Sequence, residues 1–339
     1  MNAPAFLLAA GFGTRLRPLT EHLPKPMVPV CGQPLANYTL ALLKAHGLNS
    51  AVVNAYHLPH KIAEWAKSQD FELHLLVESP QILGTGGGLK NAASLLAESF
   101  VVVNGDILCD VDLTALLAAT KAVGPGPAAA MALRTQSEDE TFGIVAFDSG
   151  GSVVDLVGLA KAKTIGSVNR SCHFTGIHAL NQDALALVPE GEACIVRTAY
   201  STMVPRREIA ATQHGGLWVD LGTPGRYLAA NLGVLSGELK TALDPLQSAG
   251  WALSNSQEGG AASDVNIDAT ARLQAPFWIG KGAVIEAGVS LGPGSIVGAN
   301  AHIRAGASLK NTVVWDDCTV APGAELEQAI VHDGGILTL

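Results

Sequence analysis

Short apolar runs alternate with amphipathic stretches along the first 235 or so residues. Residues 5–9, 51–54, 71–77 and 100–103 are apolar over lengths that suit buried strands. Between them, 34–46 carries helical spacing and is followed by Gly47, a helix-stop residue. Helices are also predicted over 59–67 and 89–96, the latter preceded by a glycine-rich loop at 84–88. Repeated strand–helix alternation predicts a largely parallel sheet covered by helices. After a loop at 123–128, further strands are expected at 128–133, 143–147, 153–157 and 172–180, the last leading to a short helix. Residues 218–222 then lead into a helix over Pro224–Leu235.

The pattern changes after that helix. Residues 236–275 lose the alternation, and 254–263 are small and polar, as in a linker. From Ile279 a new period begins: Ile279, Ile285, Leu291, Val297, Ile303 and Leu309 recur every six residues. Gly282, Gly288, Gly294 and Gly306 lie between them, and Val314, Val320 and Leu326 continue after a slip. Neither an α-helix nor an ordinary strand keeps period six, whereas a parallel β-helix does. Such coils bury one another's aliphatic residues and need several turns to be stable. Residues 276–339 allow about three. The division expected is therefore 1–235, a linker at 236–275, and a β-helix at 276–339.

Composition narrows the chemistry. With aromatics at 5% against 48% apolar residues, the core must be built from Ala, Val, Leu and Ile. A net charge of −9 opposes nucleic-acid binding but leaves room for a local cationic pocket around a small anion. The N-terminus lacks a basic leader, and its apolar run is too short to span a membrane. Five scattered cysteines without a CxxC pair suit a reduced, cytoplasmic setting. His57 and His60 sit three apart near a helix start, but a metal site would need more ligands, so surface or capping roles are expected for them and a structural role for His302.

The densest chemistry lies at residues 9–26, AAGFGTRLRPLTEHLPKP. Gly11 and Gly13 permit a tight turn with exposed N–H groups, and Thr14, Arg15, Arg17 and Lys25 add a hydroxyl and cations. That set suits a polyphosphate. It is not a Walker A loop, because Thr14-Arg15 follows Gly13 where Lys-Ser/Thr is required. It is not a dinucleotide fingerprint either: position 16 is Leu, and Asn54 ends the second strand where an acidic residue is wanted. A second feature is Asp106 in VVVNGD, at the carboxyl end of a strand, where open α/β sheets bind ligands. A third is Asp220 in WVDLGTP.

The run GFGTRLRPLTEHLPKP resembles the signature of the sugar-1-phosphate nucleotidylyltransferases, and the other features follow in that family's order. The resemblance implies an α/β fold: a Rossmann-like nucleotidyltransferase domain, mostly parallel sheet flanked by helices, then a short left-handed parallel β-helix. It implies an enzyme that makes an NDP-sugar and pyrophosphate from an NTP and a sugar-1-phosphate. Arg15, Lys25 and Asp106 take the catalytic roles, and Asp106 and Asp220 hold Mg²⁺, which proteins commonly bind through one or two carboxylates plus substrate phosphates. Ala9, Ala10, Gly11, Gly13 and Thr14 would wrap the nucleotide, with Gln81, Gly84 and Thr85 in the base-contacting loop. Glu78 or Gln81 could read a base edge. Asn104, Gly105, Thr175 and Gly176 fall on the sugar side. Many members carry Glu-Lys-Pro before the sugar strand; here GLAKAK stands instead, leaving Lys161, Lys163 or Arg197 to bind the sugar phosphate.

The loop at 78–89 resembles the guanylyl- and uridylyl-transferring branches, so GTP with mannose-1-phosphate is the first expectation. Heptose-1-phosphate guanylyl transfer or N-acetyl-sugar uridylyl transfer is the alternative. A bifunctional acyltransferase is disfavoured by the few coils, and a non-catalytic regulator by the retained Arg15, Lys25, Asp106 and Asp220. A homo-oligomer is expected through the C-terminal β-helix, with neither nucleic acid nor membrane as partner.

Overall fold

The computed structural model describes residues 2–137, 140–163, 168–244, 259–262 and 264–339. Part of the expected linker, 245–258 and 263, lies outside the described residues. The chain forms two compact units, neither continuous in sequence. The first comprises Met1–Gly11, Thr39–Gly105 and Cys109–Trp218; the second comprises Phe12–Tyr38, Asp106–Leu108 and Val219–Leu339.

The first unit is built on a ten-stranded mixed sheet. Its strands are β1 (Ala3–Leu8), β2 (Ser50–Ala55), β3 (Glu72–Val77) and β4 (Leu96–Asn104). After β5 (Ile107–Cys109), which lies outside this sheet, come β6 (Ala129–Thr135), β7 (Ile144–Asp148), β8 (Val153–Leu156) and β9 (Ala160–Lys161). The long β10 (Val168–Asn181) and β11 (Ile209–Gln213) complete it. Strands β3-β2-β1-β4 are parallel. Beyond β4 the sheet turns antiparallel through β10, which also pairs with β6 and β7. Because β1 has parallel neighbours on both sides, the chain reverses its winding between β1 and β4. Ligands of open α/β sheets bind at the carboxyl ends of such strands. There Leu8 pairs with Asn104, and the Gly105 N–H donates to the Leu8 carbonyl at 2.9 Å. Phe6, Val52, Phe100, Val102, Met131 and Leu180 form the buried core.

Apart from short helical turns such as Val196–Tyr200 and Ser201–Met203, the helices among the described residues are α1 (Leu35–Ala45), α2 (Pro59–Ser68), α3 (Gly84–Asn91), α4 (Leu113–Ala122), α5 (Gln182–Ala186) and α6 (Pro224–Leu235). Two depart from the sequence expectation. Helix α4 was not anticipated, although Asp112 caps it by accepting the Ala115 N–H at 2.9 Å. The glycine run 84–88, expected as a loop, forms most of α3, and β4 begins at Leu96, where a helix was expected. Packing overrides the low helix propensity of glycine here. The Gly86 and Gly87 N–H groups donate to the Ala193 carbonyl at 2.8 and 3.1 Å. A Cβ on Gly87 would stand 2.0 Å from the Gly191 carbonyl oxygen, and one on Gly84 2.8 Å from that of Ala193.

In the second unit the C-terminal chain winds into parallel coils with three ladders of short strands. Ile279 pairs with Val297, Ile285 with Ile303 and Leu291 with Leu309, each one full coil apart. The next coil is a residue shorter, pairing Ile296 with Val313, Ile303 with Val320 and Leu309 with Leu326. This is the slip visible in the sequence. The ladders reach back to Gly260–Ala261, Asn266–Ile267 and Arg272–Leu273, ahead of the start read from the repeat. An antiparallel strand, Gly335–Thr338, pairs with Glu325–His332 at the other end. The coil's aliphatic interior forms one continuous core with Leu16, Leu19, Val28 and Val30 and with Tyr227 and Leu228 of α6.

Candidate active site

In the second unit the opening loop is set by Gly13, which lies in the left-handed region at φ 62°. A Cβ there would sit 3.0 Å from Thr20 Cγ2 and 3.1 Å from Lys25 Cβ. The Thr20 hydroxyl donates to the Gly13 carbonyl at 2.9 Å, closing the loop. A short 3₁₀ turn, Thr14–Leu16, follows; Leu16 enters the core while the Arg15 side chain stays 66% exposed. Lys25 begins a second 3₁₀ turn, Lys25–Met27, whose three residues are buried.

Lys25 is the hub. Its side chain is only 8% exposed, and its Nζ lies 2.7 Å from Asp106 Oδ2 and 3.4 Å from Asp220 Oδ1. A lysine this buried needs compensating charge, and the two carboxylates supply it. Strand β12 (Trp218–Asp220) pairs with β5 in a two-stranded ribbon, and Asp220 ends it. The other oxygen of Asp220, Oδ2, faces Arg15 Nη2 at 3.5 Å and Arg226 Nη1 at 3.4 Å. Two carboxylates thus stand among three cations. Arg226 and Gly222 were missed in the sequence. A Cβ on Gly222 would meet Asp220 Oδ2 at 2.7 Å and Arg15 Cζ at 3.1 Å, so this glycine lets the guanidinium lie close to the backbone. The GTP turn beside Asp220 was the available signal for both. Among the described residues, no cluster of three or more His, Cys, Asp or Glu could hold a metal.

In the first unit, a buried polar chain supports the end of β1. The Ala9 N–H donates to Asn54 Oδ1 at 2.8 Å, and Asn54 Nδ2 donates to Glu78 Oε1 at 2.7 Å. The second oxygen of Glu78 accepts the Leu83 N–H at 2.7 Å. Glu78 is therefore a buried tie between β1, β2 and the start of α3, with a hydrogen bond on each oxygen. Gly88 makes room for it, since a Cβ there would be 2.8 Å from Glu78 Oε1. Ala9 and Ala10 are buried, and Gly11 is exposed with nothing within 4 Å of where its Cβ would be. Gln81 is exposed, whereas the Thr85 hydroxyl accepts the Ile195 N–H at 3.2 Å.

Thr175 and Gly176 lie in a bulge of β10. Phe174 pairs with Leu133 but His178 with Met131, so extra residues are looped out between them, and Gly176 takes φ 83°. Bulges recur beside active sites, where they re-aim side chains. The Thr175 hydroxyl is committed, donating to the Ala132 carbonyl at 2.8 Å and accepting the Ile177 N–H at 3.2 Å. Its carbonyl accepts the Trp218 indole N–H at 2.9 Å. Trp218 also meets Phe142 and His173 edge-on, and the Arg134 guanidinium lies 5.7 Å from its ring centroid. Burial holds His173 below the usual histidine range. Lys161 is mostly exposed and pairs with Asp155 at 3.4 Å; Lys163 and Arg197 are exposed, and Asn104 is half-buried at the end of β4.

A family model described as "Nucleotidyl transferase" matches residues 4–237. The chain belongs to this family. It is a nucleotidyltransferase, and its relatives divide over base and sugar. It is 28% identical to a UTP–glucose-1-phosphate uridylyltransferase of Synechocystis, over 96% of this chain and 86% of that one. It is 26% identical to a mannose-1-phosphate guanylyltransferase of Mycobacterium tuberculosis, over 96% and 83%. An N-acetylmuramate α-1-phosphate uridylyltransferase of Neisseria meningitidis is 32% identical over 67% of this chain and 96% of its own length. Among solved structures, HddC from Yersinia pseudotuberculosis complexed with GMP-PN matches 68% of this chain and 98% of its own. The TM-score is 0.53 at 20% identity, a likeness of fold. Among the described residues, no helix is long and apolar enough to cross a membrane.

Proposed function

We propose that this nucleotidyltransferase joins an NTP to a sugar-1-phosphate, giving an NDP-sugar and pyrophosphate, with GTP and mannose-1-phosphate as the preferred pair. The observation that carries the reading is the convergence of Lys25, Arg15 and Arg226 on Asp106 and Asp220. In the reaction a sugar-phosphate oxygen attacks the α-phosphorus, and the bond to the pyrophosphate oxygen breaks. The attacking oxygen is already ionised near neutral pH, so no general base is needed. Positioning and fixed positive charge are what such a transfer requires. Arg15 and Lys25 supply that charge. Ala9, Ala10, Gly11, Gly13 and Thr14 present backbone N–H groups and a hydroxyl to the triphosphate. Gln81, Gly84 and Thr85 serve the base; Asn104, Gly105, Thr175, Gly176, Lys161 and Arg197 serve the sugar phosphate.

The donor set fits Mg²⁺: two hard carboxylates already share one cationic atom, Lys25 Nζ. Asp106 and Asp220 would hold the ion, which when bound supplies further charge neutralisation to the phosphates. Five free cysteines, one of them exposed, suit a cytoplasmic enzyme. The terminal strand Gly335–Thr338, with Ile336 exposed, favours a homo-oligomer through the coils. Light scattering at monomer mass would remove that assembly.

The test is a matrix of NTPs against sugar-1-phosphates with Mg²⁺ and pyrophosphate detection. GTP with mannose-1-phosphate should release pyrophosphate fastest; no release from any pair overturns the reading. The second pairing to examine is UTP with an N-acetyl-sugar-1-phosphate, favoured by the 32% identity to the N-acetylmuramate α-1-phosphate uridylyltransferase.

A further inference from the structure

The geometry points to Arg226 as a phosphate-binding residue for the β,γ-diphosphate unit of the NTP, and hence for the pyrophosphate that leaves. This inference rests on the proposed function. Arg226 sits in the first turn of α6, where Thr223 caps the helix and the turn itself holds no acidic residue. A cation is disfavoured there, because the helix N-terminus is itself positive. Arg226 pairs with Asp220 at 3.4 Å while its side chain stays 45% exposed, so part of the guanidinium faces water. A half-exposed guanidinium at the positive start of a helix is placed to meet an anion.

The arrangement around Asp220 selects the anion. Lys25 takes one carboxylate oxygen, while Arg15 and Arg226 meet at the other, each within 3.5 Å of it. Both are substantially exposed, unlike Lys25. Each guanidinium is a planar fork that matches one phosphate. Two forks drawn to one carboxylate oxygen suit two linked phosphates, which a diphosphate unit has and a sugar monophosphate lacks. The local charge agrees: three cations against two carboxylates leave a surplus of one for an incoming polyanion, before any metal is added. The exposed Gly225 ahead of Arg226 has nothing within 4 Å of where its Cβ would be, so the start of the helix is open to approach.

The experiment compares Arg226→Gln and Arg226→Lys with the wild type in two measurements. One is binding of inorganic pyrophosphate by calorimetry, with and without Mg²⁺. The other is steady-state kinetics with each substrate varied in turn. The glutamine variant should bind pyrophosphate roughly ten- to a hundredfold more weakly, the range for losing a charge-assisted hydrogen bond. Its KM for the NTP should rise similarly, its KM for the sugar-1-phosphate should stay within about twofold, and lysine should restore part of the loss. Unchanged pyrophosphate affinity in a folded glutamine variant overturns the assignment. So does an effect that falls on the sugar-1-phosphate KM instead. If the wild type proves inactive with every pair but binds pyrophosphate in an Arg226-dependent way, the substrate reading fails and the assignment of Arg226 to a diphosphate stands.

Discussion

The Trp315 indole N–H donates to the hydroxyl of Tyr227 at 3.0 Å, and that hydroxyl donates onward to the Pro29 carbonyl at 2.5 Å. One buried relay therefore joins the C-terminal coil, helix α6 and the segment that carries Lys25. Asn231 repeats the link one turn along α6, accepting the Cys31 N–H at 2.9 Å. Leu16, Leu19 and Val28 share a core with Ile296, Val313 and Ile330 of the coil. The coil is thus part of what holds the opening segment in place.

Tyr227→Phe should accordingly destabilise the protein. It leaves the Trp315 N–H buried without its acceptor, which costs about 1–3 kcal/mol. Urea denaturation would show it as a lowered midpoint with an unchanged slope. Deleting residues 276–339 should be more severe, stripping the apolar cover from Leu16 and Leu19. The shortened chain should lose pyrophosphate release along with solubility. A soluble, fully active 1–275 fragment would refute the coupling.

Lys25→Gln should reduce kcat about 10²- to 10³-fold, the usual scale for removing one preorganised charge-stabilising donor. It also removes the cation between Asp106 and Asp220. The comparison is with Asp220→Asn, which removes the negative charge facing Lys25, Arg15 and Arg226 together and should cost at least as much. Single-turnover rates at saturating NTP separate these effects from binding.

Gly222→Ala is a test by one methyl group. The added Cβ would press on Asp220 Oδ2 at 2.7 Å and on the Arg15 guanidinium at 3.1 Å. The carboxylate and the arginine must shift, while the core is untouched. Activity should fall at least about tenfold with little change in thermal midpoint, since a misplacement of this size is enough to spoil an in-line transfer. Circular dichroism melts beside the pyrophosphate assay check both halves of the expectation.

Much of this architecture was legible because it rests on short-range pattern. The helix Pro224–Leu235 has its stop and start signals in the sequence, and period six carries the coil, including the shortened turn after Leu309. Other features depend on contacts between residues far apart. Glu78 reads as a polar residue near a glycine loop, and only the approach of Asn54 and the Leu83 N–H shows both its oxygens occupied. The glycines of α3 read as a flexible loop, yet they are small because Gly191 and Ala193 press against them. Nothing in the spacing of Phe12–Tyr38 says that its apolar residues join the C-terminal coil's core and not that of the parallel sheet. Arg226 was visible but ambiguous, since a basic residue on a helix is usually a solvated one.

His178 gives a pH dependence whose sign can be worked out. It lies wholly buried on β10 with Nδ1 against the Tyr200 hydroxyl, and burial pushes its pKa down from 6.5 to about 3. In the unfolded chain it regains an ordinary value and takes up a proton below about pH 6.5. Between those limits the unfolded state binds one more proton than the folded state. Stability must therefore be fully present above pH 6.5 and fall as the pH drops toward 3, by up to about 1.4 kcal/mol per pH unit from this group. His178→Gln removes that proton from the balance. The variant should be less stable at pH 7, because a packed ring is lost, but its stability should fall less steeply from pH 6.5 to 4. Urea midpoints of both proteins across that range decide it: parallel curves would mean that His178 does not carry the acid sensitivity.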